Sequence, residues 1–120
     1  MSYTLEQQKA NRRIWAEALR SGKYSQIRGQ LRTDLLGRCC LGVACDVLIV
    51  PWTKEGGTWL PSNHDMDDYM PSPLAEQFGM DTESLKKFVR WNDNARKTFA
   101  EIADIIESEP DGLFVESEKP

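Results

Sequence analysis

The stretch GRCCLGVACDV, residues 37–47, sets two adjacent cysteines, a glycine and a third cysteine at the head of an apolar run. Thiols at this density can ligate a metal, act as a nucleophile, or pack. A zinc site wants about four soft or imidazole ligands in short paired spacings. Here Cys39 or Cys40, Cys45, the single histidine His64 and an aspartate can be drawn together, but without such a spacing. A cysteine nucleophile needs a base, for which His64 is the one imidazole, and a cation or helix N-terminus to lower the thiol pKa. Arg38 and the turn at Gly42 are the candidates for that. The favoured reading is packing, since free cysteine behaves as a small hydrophobe. In it the cysteines join a hairpin to a helix, and Gly42 allows a close approach that a side chain would obstruct. If Cys39 and Cys40 lie in a strand they point to opposite faces, and only one meets the core directly.

A second set of residues carries different chemistry. Trp52, Trp59 and Tyr69 fall in a region that reads as a long loop, residues 51–72, while Tyr24, Arg28, Arg32 and Arg38 lie on or near the expected hairpin. Indole faces stack on planar rings and arginine forks hold phosphates, so these seven residues are the candidate ligand-binding set, with a nucleotide-like molecule as ligand. The competing reading makes the tryptophans core plugs and the arginines a solvated face. SNHDMDDYM, residues 62–70, lacks the glycine and terminal glutamate of a calcium loop, and the chain has neither a phosphate loop nor a dinucleotide fingerprint. No catalytic residue, metal ligand or cofactor is assigned.

The elements that must position these groups follow from periodicity and caps. Thr4 and Gln7 form a capping-box pattern, and Ala10, Ile14 and Ala18 with Trp15 and Leu19 recur at helical spacing until Gly22, leaving Arg12, Arg13, Glu17 and Arg20 to face solvent. Residues 26–32 and 36–41 read as a β-hairpin carrying the basic surface. A short buried helix is expected after Gly42, ended by Pro51. Thr58–Leu60 is a short strand within the long loop. Ser72 and Pro73 open a helix that Gly79 closes, Thr82 begins another that ends near Trp91, and NDN (residues 92–94) is a turn. Thr98 and Glu101 form a second capping box, with Phe99, Ile102, Ala103 and Ile106 as one apolar stripe. The sum is an α+β domain over residues 1–108, a small hairpin or sheet among four or five helices, followed by an acidic tail at 109–120 for which disorder and an edge strand at Leu113–Val115 are the alternatives.

Composition bounds the rest. At 120 residues the chain is the size of one domain, and no apolar run approaches the roughly 20 residues of a membrane helix. Three cysteines, two adjacent, fit reduced thiols and a cytoplasmic setting. Residues 1–50 carry eight Lys/Arg against four Asp/Glu, and residues 51–120 carry seven against fifteen. A sequence pI near 5.0 argues against a nucleic-acid binder.

WAEALRSGKYSQIRGQLRT, CCLGVACDV, LP, and ND followed by KTFAEIADIIE together resemble a recurrent type of small phage-encoded protein, over about residues 12–107. CCLGVACDV and FAEIADIIE are the most specific parts. Departures are Ile27, where a small or polar residue is common, and Asn94-Ala95-Arg96 in place of a shorter turn with glycine. The family brings no catalytic residue. The resemblance implies a phage accessory protein acting in the host cytoplasm, and three functions are weighed: sequestering a nucleotide-derived host-defence signal, for which a homo-oligomer fits because pockets form at interfaces; docking on a host enzyme as an inhibitor through the acidic half and the 51–72 loop; and cysteine- or metal-dependent hydrolysis.

Overall fold

Helix α1 (Leu5–Arg20) starts as its cap dictates: Thr4 Oγ1 accepts from the Gln7 amide and Gln7 Oε1 from the Thr4 amide, each at 3.0 Å. The computed structural model describes residues 4–34, 36–61 and 72–114. Trp15 fixes which face of α1 turns inward, because its ring lies 5.2 Å from Phe78 and 4.9 Å from Phe88 and its Nε1 donates to the Cys40 carbonyl at 2.9 Å. The buried face is therefore Gln8, Arg12, Trp15, Ala16 and Leu19, rotated from the expected stripe, and Ile14 is left half exposed. Arg12 is buried rather than solvated. Its Nη1 donates to the Phe78 carbonyl at 2.9 Å, its Nη2 pairs with Glu109 at 2.8 Å, and its guanidinium lies 4.2 Å from the Phe114 ring centre.

The hairpin expected over 26–32 and 36–41 is not formed. Strands β1 (Ser25–Gln26) and β2 (Gly37–Arg38) pair in parallel, Ser25 opposite Gly37 and Gln26 opposite Arg38, with one antiparallel bridge between Arg32 and Arg38. A parallel pair needs a longer excursion than a tight turn. The chain makes it through a bend at Gly29 (φ +83) and returns so that the Leu31 carbonyl accepts from Cys39 N at 3.1 Å.

Helix α2 (Cys40–Val47) begins directly after Cys39, ahead of the start expected past Gly42. Cys39 and Cys40 accordingly do not straddle a strand: both are buried, as is Cys45. Gly42 has the role expected of it, since a Cβ there would collide with the Leu31 carbonyl oxygen.

Half of the expected long loop is an antiparallel hairpin. Strand β3 (Trp52–Glu55) pairs with β4 (Thr58–Pro61), the strand expected at Thr58–Leu60, around Gly56 and Gly57 at φ +58 and +84. Its register sets Trp52 opposite Pro61 and Lys54 opposite Trp59, so these four side chains share one face. The rest of that region, with His64 and Tyr69, lies outside the described residues.

Helix α3 (Ser72–Glu76) is closed at Gly79. Helix α4 (Thr82–Val89), capped by Asp81, runs into a π-helical turn at Arg90–Asn94 that takes the place of the expected NDN turn. The Thr98–Glu101 capping box opens α5 (Phe99–Ser108), whose stripe Phe99, Ile102, Ala103 and Ile106 is buried. Beyond Pro110, Leu113 is buried and Phe114 packs near Phe88, in a turn rather than an edge strand. Helix α1 packs along α5 and against α2, Arg20 pairing with Asp104 and Glu107 across the first interface. The fold is α+β, one domain with two small sheets and five α-helices among the described residues.

Candidate functional site

The three thiols are core atoms. Burial pushes the Cys39 pKa up to about 11, against the opposing pull of the Gly42 and Leu41 amides at the start of α2. Burial likewise raises Cys40 and Cys45, and ionising Cys39 would raise both further. A nucleophile needs the thiolate, and these sites hold the thiol. Among the described residues no three Cys, His, Asp or Glu side chains are grouped to hold a metal ion.

The aromatic and basic residues assemble differently. Arg38, on β2, is nearly buried, and its Cζ lies 5.8 Å from the Tyr24 ring centre and 5.6 Å from that of Trp52. Arg32 follows, 5.5 Å from Trp52 and 3.9 Å from Trp59. Lys54 Nζ ends the series 5.6 Å from Trp59. Tyr24, Arg38, Trp52, Arg32, Trp59 and Lys54 thus alternate ring and cation along one face, each contact within the roughly 6 Å over which a ring quadrupole attracts a cation.

Two carboxylates pin this ladder. Asp46, in α2, accepts from Arg38 Nε at 2.9 Å and from Trp52 Nε1 at 2.8 Å, using both oxygens. Burial first, and then Asp46, raise the Tyr24 pKa. Asp34 accepts from Trp59 Nε1 at 2.6 Å and pairs with Lys54 at 3.4 Å, contacts that hold its carboxyl below the usual range. Arg38 and Lys54 therefore have counter-charges in contact. Arg32 forms no ion pair among the described residues, and its Nε is buried there without a hydrogen-bond partner. Burial, followed by the charge of Arg38, draws its pKa down, with Asp46 and Asp34 opposing.

Of the seven candidate residues, Tyr24, Arg32, Arg38, Trp52 and Trp59 come together; Arg28 is exposed and enters none of these contacts, and Tyr69 lies outside the described residues. The basic surface expected on a hairpin is mostly interior, because Arg38 is buried and Arg32 half-buried against indole. Asp34, Asp46 and Lys54 belong to the same assembly and were not candidates. The Lys54–Trp59 pair follows once 52–61 is read as a hairpin about Gly56-Gly57, whereas nothing in the sequence signals the pairing of Asp46 with Arg38.

No curated protein and no solved structure matches the chain. Residues 7–81, which include every member of the ladder, match the family described as a domain of unknown function (DUF8296), and the chain belongs to that family.

Proposed function

We propose that this protein is a non-enzymatic binding protein whose ladder face takes an anionic, ring-bearing ligand of the nucleotide class. The observation that carries the reading is Arg32, a cation set between two indoles with a buried, unpartnered Nε and no carboxylate in contact among the described residues. A phosphate beside the guanidinium supplies the missing counter-charge, and the neighbouring indoles offer faces to a base. Of the three arginines first considered, Arg38 serves to hold the scaffold and Arg32 to bind. Sequestering a host-defence signal in the cytoplasm of a phage-infected cell is the setting that fits a binder without a reactive thiol; that setting rests on the motif resemblance alone. The test is titration of GMP, AMP, UMP and CMP against the wild type and Arg32→Ala, followed by tryptophan fluorescence and calorimetry, beside thermal melts of both proteins. The expected result is at least a tenfold loss of affinity with little change in melting. Equal losses of affinity and stability, or no binding by the wild type, would overturn the assignment.

A second reading, docking on a host enzyme, is favoured by one observation. Ile49 is 86% exposed and Leu36 49% exposed, and both border a shallow depression beside Tyr24 and Arg38. This is not the acidic surface first considered for docking. Ile49→Asp abolishing a host-enzyme complex, with nucleotide binding intact, would separate the two readings.

A further inference from the structure

The bend at Gly29 and Gln30 divides two cavities. On one side lies a groove of about 490 Å³ walled by Trp59, Leu60, Thr58 and Glu55; on the other lies a cavity of about 240 Å³ between Leu41 and Val89, with Cys39, Cys40, Asn92 and Asp93 around it. Gly29 and Gln30 line both. One side carries the indole of the ladder beside Glu55. The other carries the carboxylate of Asp93.

That carboxylate is held in place. Asp93 Oδ1 accepts from Asn92 Nδ2 at 2.8 Å, and Asn92 is itself fixed, donating to the Ile27 carbonyl at 2.8 Å and accepting from Gln26 Nε2 at 2.9 Å and from the Cys40 amide at 3.3 Å. Asn92 is fully buried, so the group that orients Asp93 has no freedom to turn away. Among the described residues Asp93 forms no ion pair. An ionised carboxylate only accepts hydrogen bonds, so a molecule in this cavity must bring donors to it.

From this the geometry points to a second subsite, one that reads a nucleobase by its donors, in a ligand that straddles the bend. The inference rests on the nucleotide-binding reading above. Guanine presents a ring N–H and an exocyclic amine side by side, two donors matched to one carboxylate, while the partly exposed Val89 offers apolar surface to the ring. Adenine and cytosine set a ring acceptor beside their amine, and uracil flanks its one ring N–H with two acceptors. Each of these turns a lone pair toward Asp93. With a second ring against Trp59 and anionic groups near Arg32, the ligand class is a guanine-containing dinucleotide.

The experiment measures affinities of the whole protein for the linear dinucleotide pGpG, for the same dinucleotide with inosine at both positions, and for GMP. Inosine lacks only the exocyclic amine. The wild type is expected to bind pGpG at least tenfold more tightly than GMP and about tenfold more tightly than the inosine dinucleotide. Asp93→Asn keeps an oxygen for Asn92 and is expected to bring pGpG down to the inosine level. Equal wild-type affinities for the two dinucleotides overturn the subsite without recourse to any variant, as does an Asp93→Asn protein that still prefers guanine. In either case a loss on Arg32→Ala leaves the ladder reading standing. No binding of any of the three at millimolar concentration overturns both.

Discussion

Arg38 and Asp46 form an ion pair of 2.9 Å in which the guanidinium side chain is almost wholly buried and the carboxylate largely so. Removing one partner of such a pair leaves a buried charge without the group that compensated it, a loss of about 3–5 kcal/mol. Asp46→Ala is therefore expected to destabilise by roughly 3 kcal/mol, measured by urea unfolding. The same change releases Trp52 Nε1, so its fluorescence is expected to shift in the folded variant.

Gly42→Ala places a methyl group on the Leu31 carbonyl, a backbone atom that no rotamer change moves aside. The start of α2 and the return from the Gly29 bend must then part, at about 3 kcal/mol, the upper end of ordinary overpacking. A melting midpoint equal to the wild type's would show that the two backbones are not in contact in solution.

Acid weakens the fold through its capping and pairing carboxylates. Glu109 is held below the usual range by its hydrogen bond from Arg12, Asp81 by the Ser84 amide, and Glu101 by the Thr98 amide. A carboxyl with a lower pKa folded than unfolded contributes stability that is complete above the unfolded value and disappears as pH falls through the folded one. Melting temperature is thus expected to be flat near neutrality and to drop from roughly pH 4.3 downward, the ordinary glutamate value. Glu109→Gln, Asp81→Asn and Glu101→Gln combined are expected to flatten that drop.

Ile49 adopts φ +58, a left-handed conformation that crowds a β-branched side chain, while burying almost none of it. Ile49→Gly relieves the crowding and is expected to raise stability by about 1 kcal/mol in urea unfolding. Arg96, at φ +54, has the same left-handed backbone, and Arg96→Gly is expected to act in the same direction.

The thiols are expected to resist iodoacetamide at pH 8 in the folded protein and to react, all three, in denaturant. Rapid alkylation of Cys39 without unfolding would contradict its burial at the head of α2.

Caps and glycines were the legible parts of this fold. Thr4 with Gln7, Thr98 with Glu101, and the glycines at 22 and 79 have the consequences expected of them, because each acts on backbone a few residues away, and Gly42 has its expected role although the backbone it admits, at Leu31, is not local. The α+β class holds, although the hairpin over 26–32 and 36–41 that supplied most of its expected β part does not form. Long-range matters were not legible. Arg12 reads as solvated from its charge, yet Glu109 and the Phe78 carbonyl, distant in sequence, make its burial favourable. The β3–β4 hairpin hid because one face of it is indole and ammonium rather than an apolar alternation. The parallel pairing of β1 with β2 depends on the Gln26–Asn92 contact and the Leu31–Cys39 bond, which no local pattern announces. Five of the seven candidate residues lie together in the ladder, while the carboxylates that pin them needed the fold.

Asn92 touches the Ile27 carbonyl, Gln26 and the Cys40 amide, residues 52 to 66 positions earlier in the chain. A ribosome makes those earlier residues first and must hold them without their clasp until the π-turn emerges. The parallel strands that carry Arg38 then close late, a slow kind of pairing that depends on distant chain. Chains halted before residue 92 will hold the sequence of the ladder but not its spacing, so the ladder should assemble only once the π-turn has been made, rather than with the segment that supplies the rings.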